Sequence, residues 1–273
     1  MKNHLHWRLW GLGACFFIAL ISVQAQPLDD IVERKIQLEK RPLAYASIRE
    51  ADIFWEKRIW RVIDTREKIN LPFRNPAMPL YSLLETAIRE GKIIPYSAED
   101  DQFTYPLDTA QFYQQLTRTD TVRIIDPITG EEKWQAIRDE FDPETVVRYR
   151  LKELWYFDKQ MSTLRVRILG LAPIVEKRDE FGNVKYERPL FWVSYPQCRE
   201  WLSHQRAPMP DNSLGVMSWE DLLEMRMFSS YIIKESNVLD RRLDGYLAGR
   251  EMLQQSKQIE QQIFNFEHDL WAH

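Results

Sequence analysis

The sequence predicts an α+β fold with a helical N-terminal part, a central antiparallel β-hairpin or sheet, and a long C-terminal helix. Three observations predict it. Residues 164–195 alternate polar and apolar on both sides of a DEFGN turn, the mark of a half-buried hairpin. Residues 80–90 and 246–271 carry the wider apolar spacing of helices. Hydrophobic residues make up 44% and aromatics 12% of the 273 residues, which excludes a mostly disordered chain.

The first twenty-five residues read as a signal peptide. Lys2 and Arg8 precede an apolar run from Leu9 to Val23, and Val23-Gln24-Ala25 places cleavage between Ala25 and Gln26. Fifteen apolar residues fall short of the roughly 20 that a membrane-spanning helix needs. A lipidation box at Leu12-Gly13-Ala14-Cys15 stays open as the competing reading, although the apolar run continues past Cys15. Cleavage takes away Lys2 and Arg8 and no acid, leaving 35 basic against 41 acidic residues, a net charge of −6. That balance argues against nucleic acid as the main ligand, because neutralising phosphates needs a basic surface. The remaining chain is long enough to bury on the order of 70% of its unfolded surface. It keeps one cysteine, Cys198, which forms no intramolecular disulfide and reads as a buried thiol.

Residues 26–46 read as an N-terminal arm, with Pro42 ending any helix before it. Residues 47–273 read as a single domain with a candidate subdivision near 118–142. Ser47-Ile48-Arg49-Glu50 fits a capping box, so a helix is expected over 48–63, closed by Asn70 and Pro72. At 100° per residue, Ile48, Ala51, Trp55, Ile59, Val62 and Ile63 share one stripe. Ile53 and Trp60 form a second patch flanked by Arg49, Glu56 and Asp64, with Lys57 and Arg61 beyond. One stripe serves the core, and a second apolar patch beside basic groups suits a partner, so Ile53, Trp60, Lys57 and Arg61 are candidate partner-contact residues. Packing under a neighbouring segment of the same chain is the alternative.

A helix from Leu80 to Glu90 ends at Gly91, and KIIPYSAEDDQFTYPLD (92–108) reads as an ordered acidic loop. Asp108 caps a short helix to Leu116. Thr121 to Ile125 is a strand before the turn DPITG. Asp142-Pro143-Glu144 opens a helix to about Phe157. The long hairpin follows, then a short helix from Gln197 to Ser203 and a link at RAPMPDNSLG. Ser218 and Asp221 cap the next helix, and Phe228 to Ile233 reads as a strand. Tyr246 to Trp271 reads as one helix carrying the seam Met252, Ser256, Ile259, Ile263, Phe266 and Leu270. That seam fits the protein's own body or a coiled coil.

Catalytic signatures are sparse. The seven glycines after residue 25 are never closer than four apart, so no phosphate-cradling loop exists. Gly245 and Gly249 are expected on one helix face. His204, His268 and His273 lack ligand spacing, and no GxSxG elbow is present. No catalytic, cofactor-binding or metal residue is assigned. A wall or polysaccharide-binding protein, or a carboxylate hydrolase, is the alternative, built on the tryptophans and on acids such as Glu99, Asp100 and Asp101.

READIFWEKRIWRVIDTREKIN (49–70), ELWYFDKQMSTLRVRILGLAPI (153–174), LFWVSYPQCREWL (190–202), SWEDLLEMRMFSSYIIKESN (218–237) and FEHDLW (266–271) together resemble the GldN family, called PorN in non-gliding relatives. The resemblance implies a non-enzymatic periplasmic component of the type IX protein secretion system of Bacteroidota, shared with gliding motility. It further implies rings beneath the outer membrane, built by self-association with a GldK- or PorK-like lipoprotein. The periplasmic region of a GldM- or PorM-like motor protein is a further expected contact. The resemblance carries over no catalytic residue and no cofactor.

Overall fold

The first long element, β1 (Ile53–Asp64), is a strand where the sequence predicts a helix. Arg49 precedes a single 3-10 turn, Glu50–Asp52, without a side-chain cap, so the capping box at Ser47 does not form. Seven of the twelve residues in IFWEKRIWRVID are β-branched or aromatic, a composition that favours a pleated surface over a helix. The five residues from Ile59 to Ile63 are all buried, so period two is blurred. Trp55, Ile59 and Ile63 stand four apart, and four residues return to the same face in a helix and in a strand alike. Asn70 and Pro72 lie inside a 3-10 helix, Lys68–Arg74, and both are buried.

The structure, a computed structural model, describes residues 40–116, 118–125, 132–139, 141–178, 184–208 and 217–271. These lie in one compact unit, residues 35–273. The signal segment with Cys15, Ala25 and Gln26, the DPITG and DEFGN turns and His273 fall outside the described residues.

A second correction falls on the Asp142 cap. Its Oδ1 accepts from Glu144 N at 2.9 Å as expected, but only one 3-10 turn follows. The chain then becomes β5 (Val146–Asp158), which begins with two valines and is rich in aromatics. β1 and β5 pair antiparallel, and β5 pairs with β6 (Thr163–Arg178), the predicted first arm of the hairpin. Its second arm divides into β7 (Val184–Pro189) and β8 (Trp192–Ser194), both antiparallel to β6. With β2 (Pro95–Tyr96) and β9 (Tyr231–Glu235) the order is β2-β8-β6-β5-β1-β9, β7 pairing β6 off this path. β9 starts three residues later than expected from Phe228. β3 (Arg118–Ile125) and β4 (Glu132–Asp139) form a separate two-stranded sheet over the stretch considered for subdivision.

Helices α1 (Leu80–Arg89), α2 (Thr109–Leu116), α3 (Tyr195–His204), α4 (Trp219–Glu224) and α5 (Gly249–Trp271) complete the α+β fold. Their apolar sides cover one face of the sheet. Ile63, Tyr149 and Leu151 pack with Leu84, Phe112, Leu202 and Leu223, while Ile59 and Ile232 pack with Ile259 and Ile263 of α5. The seam of α5 therefore faces its own chain at Ser256, Ile259 and Ile263, and Ser256 Oγ accepts from Ile232 N at 2.7 Å. Gly245 and Gly249 do not share a helix. Gly245 ends a 3-10 turn, and Gly249, at φ +52°, opens α5.

Candidate functional site

The face of the sheet opposite α5 carries a row of charged residues from β1, β5 and β9. Strand register sets Trp60 on β1 between Lys152 of β5 and Lys234 of β9. The Lys234 ammonium lies 4.3 Å and the Lys152 ammonium 5.7 Å from the ring centroid of Trp60, so the indole sits between two cations. Each lysine also holds an acid. Lys152 Nζ donates to the Asp101 carbonyl at 2.5 Å and to its Oδ1 at 3.1 Å, and Lys234 Nζ donates to Asp240 at 2.6 Å. The loop over this face is held close to the backbone. A Cβ on Gly170 would lie 2.5 Å from the Phe103 ring, and Phe103 itself adopts φ +60°.

Two rows on, Asp64 stands in register with Arg148. Arg148 Nε donates to Asp64 at 3.0 Å, and Arg66 donates to the same carboxylate at 2.5 and 2.8 Å. Burial alone would raise this carboxyl group. The bonds from Arg66 and Arg148 outweigh that and hold its pKa at about 2. Arg148 also pairs with Glu187 on β7.

Between these rows lies Arg150, in register with Val62 of β1 and Ala172 of β6. It is 8% exposed, and its Nε is buried without a hydrogen-bond partner. Burial, with repulsion from Arg242 adding to it, pushes its pKa down to about 10. Arg150 lines an open groove of about 770 Å³ with Arg148, Tyr186, Tyr231 and Arg242. A neighbouring groove of about 490 Å³ is lined by Trp60, Asp101, Lys152 and Lys234, and Asp240 lines both. The two grooves thus combine desolvated cations with aromatic walls.

The structure separates the four residues grouped on a supposed helix. In a regular strand odd spacings fall on opposite faces, so Trp60 parts from Lys57 and Arg61. Lys57 and Arg61 lie on the α5 side of the sheet, where Lys57 pairs with Glu235 at 2.7 Å and Arg61 pairs with Glu260 of α5. Trp60, 6% exposed, lies on the other side against Val62, Trp192 and Ile233. Ile53 begins the strand. The residues missed are Arg150, Lys152 and Lys234. The signal for two of them was present as Arg148, Arg150 and Lys152 alternating with Tyr149, Leu151 and Glu153, a period of two hidden by the helix-start signal at Asp142.

Other candidates are tied into the fold. Cys198 is buried, its Sγ 3.1 Å from Ser194 O, and burial pushes the thiol pKa far up. His204 Nδ1 lies 2.7 Å from Glu200 O, and His268 is exposed on α5. Among the described residues no group of three His, Cys, Asp or Glu side chains is placed to hold a metal ion. Trp55, Trp60, Trp155, Trp192, Trp201 and Trp219 are buried or half-buried. Asp100 and Asp101 are engaged by Gln102 N and Lys152.

A family model described as "Gliding motility associated protein GldN" matches residues 48–272. No curated protein matches the chain.

Proposed function

The chain belongs to the GldN family, associated with gliding motility and type IX secretion, and on that premise we propose that it is a non-enzymatic periplasmic scaffold. In this reading it is exported by the segment ending at Ala25 and assembles beneath the outer membrane into a ring with a GldK- or PorK-like lipoprotein. A GldM- or PorM-like periplasmic region is its further contact. The carrying observation is the family match over nearly all of the chain after residue 47. Support also comes from where the charges are engaged. Arg61 ties β1 to α5, Arg226 ties the segment after α4 to Glu153 of β5 at 2.8 Å, and Arg199 ties α3 to Glu220 of α4 at 2.6 Å. Paired charges of this kind stiffen a frame rather than poise a reacting group. Among the described residues no helix is long and apolar enough to cross a membrane.

The test is co-expression of residues 26–273 with the lipoprotein, followed by native purification and electron microscopy. A very large ring-shaped complex is expected. A strict monomer that ignores the lipoprotein at near-physiological salt overturns the reading.

A further inference from the structure

We infer that the groove over Arg150 is a carboxylate-binding site that takes an acidic side chain presented by a partner polypeptide. The inference rests on the reading of this chain as an assembly subunit and names one contact that such assembly uses.

The argument starts from what the groove lacks. Arg148 is paired with Asp64 and Glu187, Arg242 with Asp244 at 2.5 Å, and Asp240 with Lys234 at 2.6 Å. Arg150 is the exception. Its Nε is buried without a partner, and among the described residues no carboxylate is ion-paired with it. A guanidinium removed from water without an acceptor is costly, and its planar fork matches a carboxylate through two parallel N–H···O bonds. One unpaired cation calls for one negative charge. A phosphate dianion would meet repulsion from Glu187, Asp240 and Asp244 on the same walls.

The rest of the groove selects what carries the carboxylate. At about 770 Å³ it is far larger than one carboxylate group and includes apolar surface from Val62, Ile233 and Met252. Its rim holds Val184 and Tyr186, 45% and 49% exposed, on β7. Among the described strands β7 pairs only with β6, so its other edge offers backbone groups to an extended segment. An acidic residue flanked by apolar ones on an extended segment fits each feature.

The test follows the arginine side-chain Nε–H signals of residues 26–273 by NMR. The probes are an extended tripeptide with glutamate between two valines, its glutamine counterpart, hexanoate and inorganic phosphate. The Arg150 signal, assigned by its loss in Arg150→Met, is expected to shift saturably with the glutamate peptide. The glutamine peptide should bind at least tenfold more weakly, and hexanoate and phosphate also more weakly than the glutamate peptide. Arg150→Met should lose the saturable binding and melt no lower than wild type, since it removes an unpaired buried charge and keeps the stem.

An unmoved Arg150 signal, equal binding of the glutamine peptide, or tighter binding of hexanoate or phosphate overturns the inference. The wild-type signal decides even if Arg150→Met fails to fold, and Arg150→Lys, which keeps the charge without the fork, is expected to bind at least fivefold more weakly. Failure of peptide binding in a protein that still forms large complexes with the lipoprotein removes this site alone. Peptide binding without such complexes removes the scaffold reading instead.

Discussion

At the scale of single residues, Asp64 shows how charge on this sheet becomes stability. It joins β1 to β5 through Arg148 and to its own strand end through Arg66. Its folded pKa of about 2 lies below the value of about 3.9 expected for an unfolded chain. A depressed carboxylate pKa contributes stability that is complete above about pH 4 and is lost as pH falls from there towards 2. The contribution should be about 1 kcal/mol, less than the full shift implies because the group is partly solvated. Urea unfolding at pH 5 and pH 2.5 should show wild type losing this increment relative to Asp64→Asn. Equal losses in both proteins would mean that the Arg66 and Arg148 bonds do not stabilise the fold. Trp60 carries the opposite lesson, that an aromatic residue beside cations need not face a partner. Here the cations are its neighbours on adjacent strands, and the ring is buried between them.

At the scale of elements, local sequence signals worked wherever one mechanism decided the outcome. The capping box at Ser218 forms as read: its Oγ accepts from Asp221 N at 3.1 Å, and Asp221 accepts from Ser218 N at 2.9 Å. Ser218→Ala should therefore cost about 0.5–2 kcal/mol, read as a lower denaturant midpoint, and Ser218→Asp, which keeps an acceptor, should recover part of it. The helices α1 and α5 and the strand β6 were legible for the same reason, one clear period each. β1 and β5 were not. Trp55, Ile59 and Ile63 satisfy both periods, and burial of both faces removed the alternation that would have separated them. The cap at Asp142 is genuine but supports one turn, so a start signal was read as a whole helix. Arg148, Arg150 and Lys152 did announce a strand face. What no local pattern announces is that Arg150, unlike Arg148 and Lys152, pairs with no carboxylate among the described residues, because Glu187, Asp240 and Asp244 arrive from distant segments.

At the scale of the whole molecule, residues 40–46 of the arm lie outside the span matched to the family, yet they are tied to the fold at several points. Lys40 bonds to Ser218 at 3.0 Å and pairs with Asp221, so it reaches the cap of α4. The Leu43 carbonyl accepts from Arg199 at 2.8 Å, and the Ala46 carbonyl accepts from Arg167 at 2.7 Å. The Tyr45 ring lies 3.9 Å from the Arg199 guanidinium, and its hydroxyl donates to Glu224 at 2.6 Å. Burial, then the neighbouring Glu224, raises the Tyr45 pKa far above its usual value, so the phenol stays a donor at any physiological pH. The arm thus covers the buried Arg199–Glu220 pair that ties α3 to α4. Truncation to residues 48–273 would return that pair to water and remove several charge-assisted bonds, each contributing about 1.5–3 kcal/mol at most. Part of that is offset by the freedom the arm regains. A net loss of about 2–3 kcal/mol lowers the melting temperature by roughly 5–10 °C in a domain of this size. Tyr45→Phe, which loses only the bond to Glu224, should lie between the truncated and full chains. Differential scanning calorimetry of the three proteins checks the order. An unchanged melting temperature on truncation would mean that the arm rests on α3 and α4 without stabilising them.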